Sequence, residues 1–121
     1  MGKKKRRGKG VTGKIVVLVT CGSAREAKKV AREVVEAQLA GCANIATSPV
    51  KSIYRWEEKV QAASEVLVMI KTTRKRFSAL EREIRRVHSY EVPEIITLPV
   101  VAGSAGYLQW IEEAVRVARS K

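Results

Sequence analysis

The chain has 121 residues, a formal net charge of +12, 45% hydrophobic residues and two cysteines. This length suits one compact domain that buries roughly two thirds of the surface its unfolded form exposes. No apolar run approaches the ~20 residues needed to cross a bilayer, and no signal-type apolar stretch follows the N-terminal bases, so a cytoplasmic protein with no membrane partner is expected.

Residues 1–14 carry seven Lys or Arg and no acid, whereas residues 15–121 carry 17 bases against 12 acids, leaving +5. Residues 1–13 are therefore predicted to be a disordered basic arm and 14–121 the folded domain. The arm offers a weak contact to nucleic acid or another polyanion and has no aromatic to stack on a base.

Ile15 to Thr20 (IVVLVT) is a continuous apolar and β-branched run, as in a central strand covered on more than one side. Ser23-Ala24-Arg25-Glu26 reads as a capping box opening a helix with Ala27, Val30, Ala31, Val34, Val35 and Leu39 inward and Gly41 as its stop. Cys42 to Ala46 reads as a second strand, interrupted by Pro49. Ser52 to Val60 resumes it, with Ser52, Tyr54, Trp56 and Glu58 on one face. Residues 61–64 (QAAS) are predicted as the turn into Glu65 to Thr73, so that 42–73 forms a long bent hairpin. A helix over Arg74 to Val87 carries Phe77, Leu80, Ile84 and Val87 inward. Glu94 to Val101 is a further strand with Pro99 at an edge or bulge, and Ser104 caps a last helix in which Trp110 falls at a core position.

The order β-α-β-β-α-β-α predicts an α+β fold: a mostly antiparallel, ferredoxin-like split βαβ sandwich with a long β-hairpin and an extra C-terminal helix. So long a hairpin outreaches the core that two helices can cover, which points to pairing with further copies of the chain in a closed ring.

Between the second helix and the fourth strand lies His88-Ser89-Tyr90-Glu91-Val92-Pro93-Glu94, which gathers the chain's lone histidine, a tyrosine and two carboxylates in one turn. Such a cluster suits binding. It equally suits a packing anchor with a histidine at a helix C-terminus. Cys21 and Cys42 make neither a disulfide framework nor a zinc ribbon, and both are expected to be reduced, Cys42 as a small buried hydrophobe. Aspartate is absent, one Asn and three Gln stand among 12 Lys and 12 Arg, and all 12 acids are Glu, a composition that points to a thermophilic source. Without aspartate, a second histidine, a nucleophile elbow or a Gly-rich phosphate loop, no enzyme is expected.

Five blocks together carry a resemblance: Leu39-Ala40-Gly41-Cys42-Ala43-Asn44-Ile45, Ser52 to Val60 (SIYRWEEKV), Ile70-Lys71-Thr72-Thr73, His88 to Ile96 (HSYEVPEII) and Tyr107-Leu108-Gln109-Trp110-Ile111. In that order and spacing the chain resembles the CutA family of divalent-cation tolerance proteins over Ile15 to Arg119. The resemblance implies a homotrimer built through the long hairpins, similar in architecture to the trimeric PII proteins, and a link to copper or another divalent cation. It also implies an inter-subunit cleft where Tyr54, Trp56, Lys71, His88, Tyr90, Glu94 and Trp110 converge, suited to a small anionic or aromatic ligand. The competing expectation is that Tyr54, Trp56 and Trp110 only pack and that Lys71 pairs with Glu94. Against the family's copper donors this chain has Val19 in place of the cysteine and Val87 in place of the first of two histidines, leaving His88 alone, with Cys21 two residues beyond the family position and Ser89 in place of a proline. A dedicated tight copper site is therefore not expected, and His88 is the candidate ligand of a weak one. Three readings stay open: a trimeric metal-responsive protein, a PII-like small-ligand sensor, and an assembly scaffold whose arm touches nucleic acid.

Overall fold

A computed structural model describes residues 11–117. The predicted basic arm falls outside these residues except for 11–13. Five strands and three helices run in the order β1 (Lys14–Cys21), α1 (Ala24–Glu36), β2 (Cys42–Ile45), β3 (Val50–Trp56), β4 (Lys59–Thr73), α2 (Phe77–Val87), β5 (Ile95–Pro99) and α3 (Ala105–Ala114), with a single 3-10 turn at Arg74–Arg76 leading into α2. The strands form a sheet in the order β2-β4-β1-β5, with β3 also paired to β4, and every pairing is antiparallel. This is the expected split βαβ arrangement with an added C-terminal helix.

β1 is central because its even and odd residues meet different layers. Ile15, Val17, Val19 and Cys21 point with Val68 and Ile70 of β4 into a core closed by Ala27, Val30, Ala31 and Val34 of α1 and Leu80 and Ile84 of α2. On the opposite side α3 packs against β4 and β1, burying Ile111, with Val115 buried just beyond its end, and Glu112 pairs with Lys14 across 3.0 Å. Pro99 sits opposite Ile15 on β5, at the edge of the sheet, where its missing donor leaves no gap in the ladder.

Three local expectations are corrected. The hairpin turns at Glu57-Glu58, not at residues 61–64. Both glutamates have positive φ (53° and 68°), and Trp56 pairs with Lys59 across them. A two-residue turn with both φ values positive matches strand twist, but glutamate is a poor marker for it compared with Asn-Gly. Gln61 to Ser64 instead extends β4, a strand of 15 residues spanning about 50 Å at strand rise. Helix α1 ends at Glu36, ahead of Gly41, because Gln38 takes the left-handed conformation (φ 59°) and the Leu39 N–H returns to the Val34 carbonyl at 2.9 Å. Gly41 serves packing, since a Cβ there would lie 3.4 Å from Ala114 Cβ and 3.5 Å from the Trp110 ring. Ser104 stands at the start of α3 but makes no side-chain cap bond.

The capping box of α1 is only half formed, and the other half positions the site. The Ser23 hydroxyl accepts from the Glu26 N–H at 3.1 Å. The Glu26 carboxylate does not close back onto Ser23 but reaches across to the segment after α2.

Candidate functional site

The turn after α2 is held against the end of β1 by a set of short polar contacts. The His88 Nε2–H donates to the Thr20 carbonyl at 2.8 Å, which fixes the tautomer, and Nδ1 accepts the Tyr90 N–H at 3.1 Å. Glu26 accepts from the Ser89 N–H and from its hydroxyl at 3.1 Å, and from the Gly22 N–H at 3.4 Å. Burial works to raise the Glu26 carboxyl, but the hydrogen bonds from the Ser89 N–H and hydroxyl and from the Gly22 N–H hold it below the usual range. Thus His88 is buried and locks the turn in place.

Locking the turn aims Tyr90 into the sheet. Its ring lies 4.7 Å from that of His88, and its hydroxyl donates to Glu65 Oε2 on β4 at 2.8 Å. Burial, and the charge of Glu65, push the phenol well above its ordinary value, so it stays a donor. Gly22 leaves room for this approach: a Cβ there would stand 3.2 Å from the Tyr90 hydroxyl.

In front of this arrangement opens a cleft of ≈ 530 Å³, lined by Thr20, Ser52, Ile53, Tyr54, Trp56, Glu65, Tyr90, Glu91, Val92 and Glu94. Four of the residues expected there, Tyr54, Trp56, Tyr90 and Glu94, are lining residues; His88 supports Tyr90 without lining the cleft. Lys71 and Trp110 are elsewhere. Lys71 follows Glu65 by six residues on β4, about 20 Å along the same strand face, and its ammonium bonds the Asn44 side chain. Neither the expected cation in the cleft nor the alternative Lys71–Glu94 ion pair exists among the described residues. Trp110 is not a core residue: it is 43% exposed on α3, beside Tyr107 at 5.5 Å between ring centroids and over Gly41. Cys42 is half-buried near these groups, its thiol 3.8 Å from Asn44 Oδ1. Helical spacing places Trp110 inward, but the inward position of α3 is taken by Ile111, and Trp110 with Ala114 lies over Gly41 instead.

Sequence reading missed Glu65 and Glu26. Glu65 is buried and receives the hydroxyl of Tyr90 from 25 residues away. Glu26 looked complete within its own capping box.

The donor set for a metal is likewise a surprise. The Cys21 thiol, the Glu26 carboxylate and a His88 ring nitrogen lie within 4.8 Å of one another. Their chemical types suit a borderline or soft ion. Each is already committed, however: both His88 nitrogens and the Glu26 oxygens hold the turn, and burial with the charges of Glu26 and Glu65 pushes the Cys21 thiol up to about 12. The arrangement does not fit a tightly resident ion.

The fold and this cleft can be set beside known proteins. Residues 15–114 match the family model for the CutA1 divalent ion tolerance protein. The chain belongs to that family. It is 47% identical over 95 residues to human Protein CutA, covering 78% of this chain and 52% of the relative. It is 41% identical over 98 residues to the divalent-cation tolerance protein CutA of Thermus thermophilus, covering 81% and 94%. A solved divalent cation tolerance protein from Thermus thermophilus superposes with a TM-score of 0.83 at 39% identity, covering 85% of this chain and 99% of that one. The chain thus spans about half the length of its mammalian relatives in this family and nearly all of the Thermus one.

Proposed function

We propose that this protein serves divalent-cation tolerance as a cytoplasmic homotrimer, by binding and not by catalytic turnover. The observation that carries the assembly is the projecting hairpin, where Ile53, Tyr54, Trp56 and Val60 are 41–73% exposed. The exposed Ile96 and Leu98 on edge strand β5 add a second uncovered apolar strip. Isolated subunits rarely leave that much clustered apolar surface and an open strand edge to water, and association covers both.

In this reading the ion is copper or another divalent cation, held weakly and exchangeably at Cys21, Glu26 and His88. The thiol and imidazole supply soft and borderline donors, and the carboxylate supplies charge. Weakness follows from the contacts already made by these groups, which an ion must displace.

The test is calorimetric titration of the assembled protein with Cu²⁺ and Zn²⁺, beside Cys21→Ala and His88→Ala, with mass followed by light scattering. The expected result is a trimer binding weakly and saturably, with binding lost in both variants. Binding unchanged by Cys21→Ala ends the metal assignment, and a monomeric mass ends the assembly.

A further inference from the structure

The positive charge of the folded chain is confined to its helical layer. Across 24–36 and 74–87, which hold α1, the 3-10 turn and α2, the chain carries ten Lys or Arg against five Glu, whereas the rest of 15–121 carries seven of each.

The placement of the five acids sharpens the excess at the outer surface. Glu26 is turned in to Ser89, and Glu33 and Glu83 share Arg86 along the seam between the helices. Glu36 pairs with Arg32, which leaves only Glu81 uncommitted among the described residues. On α1 the exposed Arg25 and Lys29 stand one turn apart, opposite the buried stripe of Ala27, Val30, Ala31 and Val34. On α2 the exposed Arg82 and Arg85 stand opposite Leu80 and Ile84. None of these four cations has an ion-pair partner among the described residues, nor do the exposed Arg74 and Lys75 of the turn. Like charges spaced three and four residues apart on a helix repel, and a polyanion laid across them removes that cost.

The same surface selects the kind of polyanion. Val35, at 38%, is the one large apolar side chain that either helix exposes, and neither helix has an exposed aromatic. The face therefore has no anchor for a protein interface, nothing to insert among lipid chains and no platform on which unpaired bases stack. Its own charge repels a second copy of itself, and the apolar residues behind the assembly reading all lie on β3, β4 and β5. A duplex backbone needs no such anchors: its phosphates recur at fixed spacing and are bound by Lys and Arg without sequence readout, guanidinium groups forking onto two oxygens at once. The basic N-terminal segment joins the fold at an edge of this layer, where the Arg74 N–H donates to the Gly13 carbonyl at 2.9 Å, and six Lys or Arg precede Val11 in the sequence.

We infer that the outward face of α1, the 3-10 turn and α2 binds the phosphate backbone of double-stranded nucleic acid, with Arg25, Lys29, Arg82 and Arg85 as phosphate ligands. This goes beyond a contact made by the N-terminal arm alone. It uses neither the hairpin nor the Cys21, Glu26 and His88 cluster, so metal binding and assembly stand or fall separately.

The experiment is fluorescence anisotropy of a short labelled DNA duplex of mixed sequence, titrated with the intact, full-length assembly. The expected result is binding in the micromolar range that weakens about twentyfold when salt is doubled from about 50 mM, as counterion release from about five phosphates requires. The joint variant Lys29→Glu, Arg82→Glu, Arg85→Glu is expected to bind at least about thirtyfold more weakly and to lower the log–log salt slope by about three, with mass and circular dichroism unchanged. Should it fail to fold, the same three positions changed to Gln are expected to lower the slope in the same direction. Arg116→Glu, Arg119→Glu and Lys121→Glu together change the net charge equally and are expected to leave the slope in place. Replacing the bases of residues 3–9 by Ser in the full-length chain separates the arm from the helices. A further loss when the helix substitutions are added to that chain supports the face. The inference is overturned if the duplex does not bind at up to about 100 μM at low salt, if the C-terminal control weakens binding as much as the helix variant, or if the whole loss follows the arm. Displacement of the duplex by phosphatidylglycerol vesicles at equal phosphate also overturns it, in favour of a membrane surface.

Discussion

The Tyr90 hydroxyl donates to the Glu65 carboxylate across 2.8 Å and thereby joins the turn after α2 to the middle of β4. The bond supports the back of the cleft as well as the subunit. Tyr90→Phe keeps the ring and its contact with His88 but strips a buried carboxylate of its donor. Hydrogen bonds to charged groups contribute about 1.5–3 kcal/mol, and with Tyr90 37% exposed the loss should fall near the lower figure. Chemical denaturation should show an earlier midpoint with an unchanged slope; an unshifted midpoint would remove the bond from the account.

His88 should behave as a structural residue first. His88→Ala leaves the Thr20 carbonyl and the Tyr90 N–H without their partners and opens a small void at the end of α2. The expected loss is about 2–3 kcal/mol. Urea denaturation without added metal, in the presence of a chelator, checks it. A variant as stable as the parent would show that the imidazole is kept for something other than holding the turn.

These two residues also show how far the sequence could be read. The turn from His88 to Glu94 stood out as a candidate because aromatic and ionisable residues gathered where neither helix nor strand needs them. The element order and the two-layer core were legible from periodicity, since β1, α1 and α2 each bury one clear stripe. What escaped were relations that no local pattern encodes. Glu26 satisfies its capping motif on paper but is recruited by Ser89, 63 residues away. Lys71 and Glu65 share one strand face by alternation, yet six residues of extended chain separate them, so Lys71 does not reach the cleft that Glu65 lines. The Glu57-Glu58 turn was hidden because its backbone is unusual for glutamate.

The ion pair between Lys14 and Glu112 fastens α3 to β1, and it should respond to acid. The hydrogen bond and charge of Lys14 outweigh burial and hold the Glu112 carboxyl below its ordinary value of 4.5. A depressed carboxyl contributes stability that is complete above the unfolded value and is lost as pH falls through the lower, folded one. Stability of the parent should therefore decline more steeply below about pH 4.5 than that of Glu112→Gln, the two curves converging in strong acid. Parallel curves measured by denaturant titration across this range would exclude a contribution from the pair.

Assembly should depend on the hairpin tip and not on the core. Trp56→Glu places a charge on a half-exposed strand position that makes no contribution to the buried cluster of the subunit. The expected outcome is a lower mass in light scattering with the circular dichroism of the folded chain retained. A variant that keeps the parent's mass would move the association surface away from this strand.

The composition makes a claim about temperature that the fold permits but does not require. Aspartate is missing, asparagine occurs once, and the 12 glutamates stand among 24 Lys and Arg. The structure shows how some of these side chains are used: Arg86 bridges Glu83 of its own helix at 2.6 Å and Glu33 of α1 at 3.4 Å, and Arg32 pairs with Glu36 at 3.1 Å. Exposed pairs such as these contribute little singly near room temperature, but the cost of desolvating charges falls on heating, so linked pairs gain relative weight there. Scanning calorimetry of the assembly is therefore expected to give a melting temperature well above the ~45–65 °C of ordinary mesophilic domains. Added salt at neutral pH should lower it by screening the Arg86 network. A transition inside the mesophilic range would separate the composition from thermal adaptation and leave the glutamate bias without a thermal explanation.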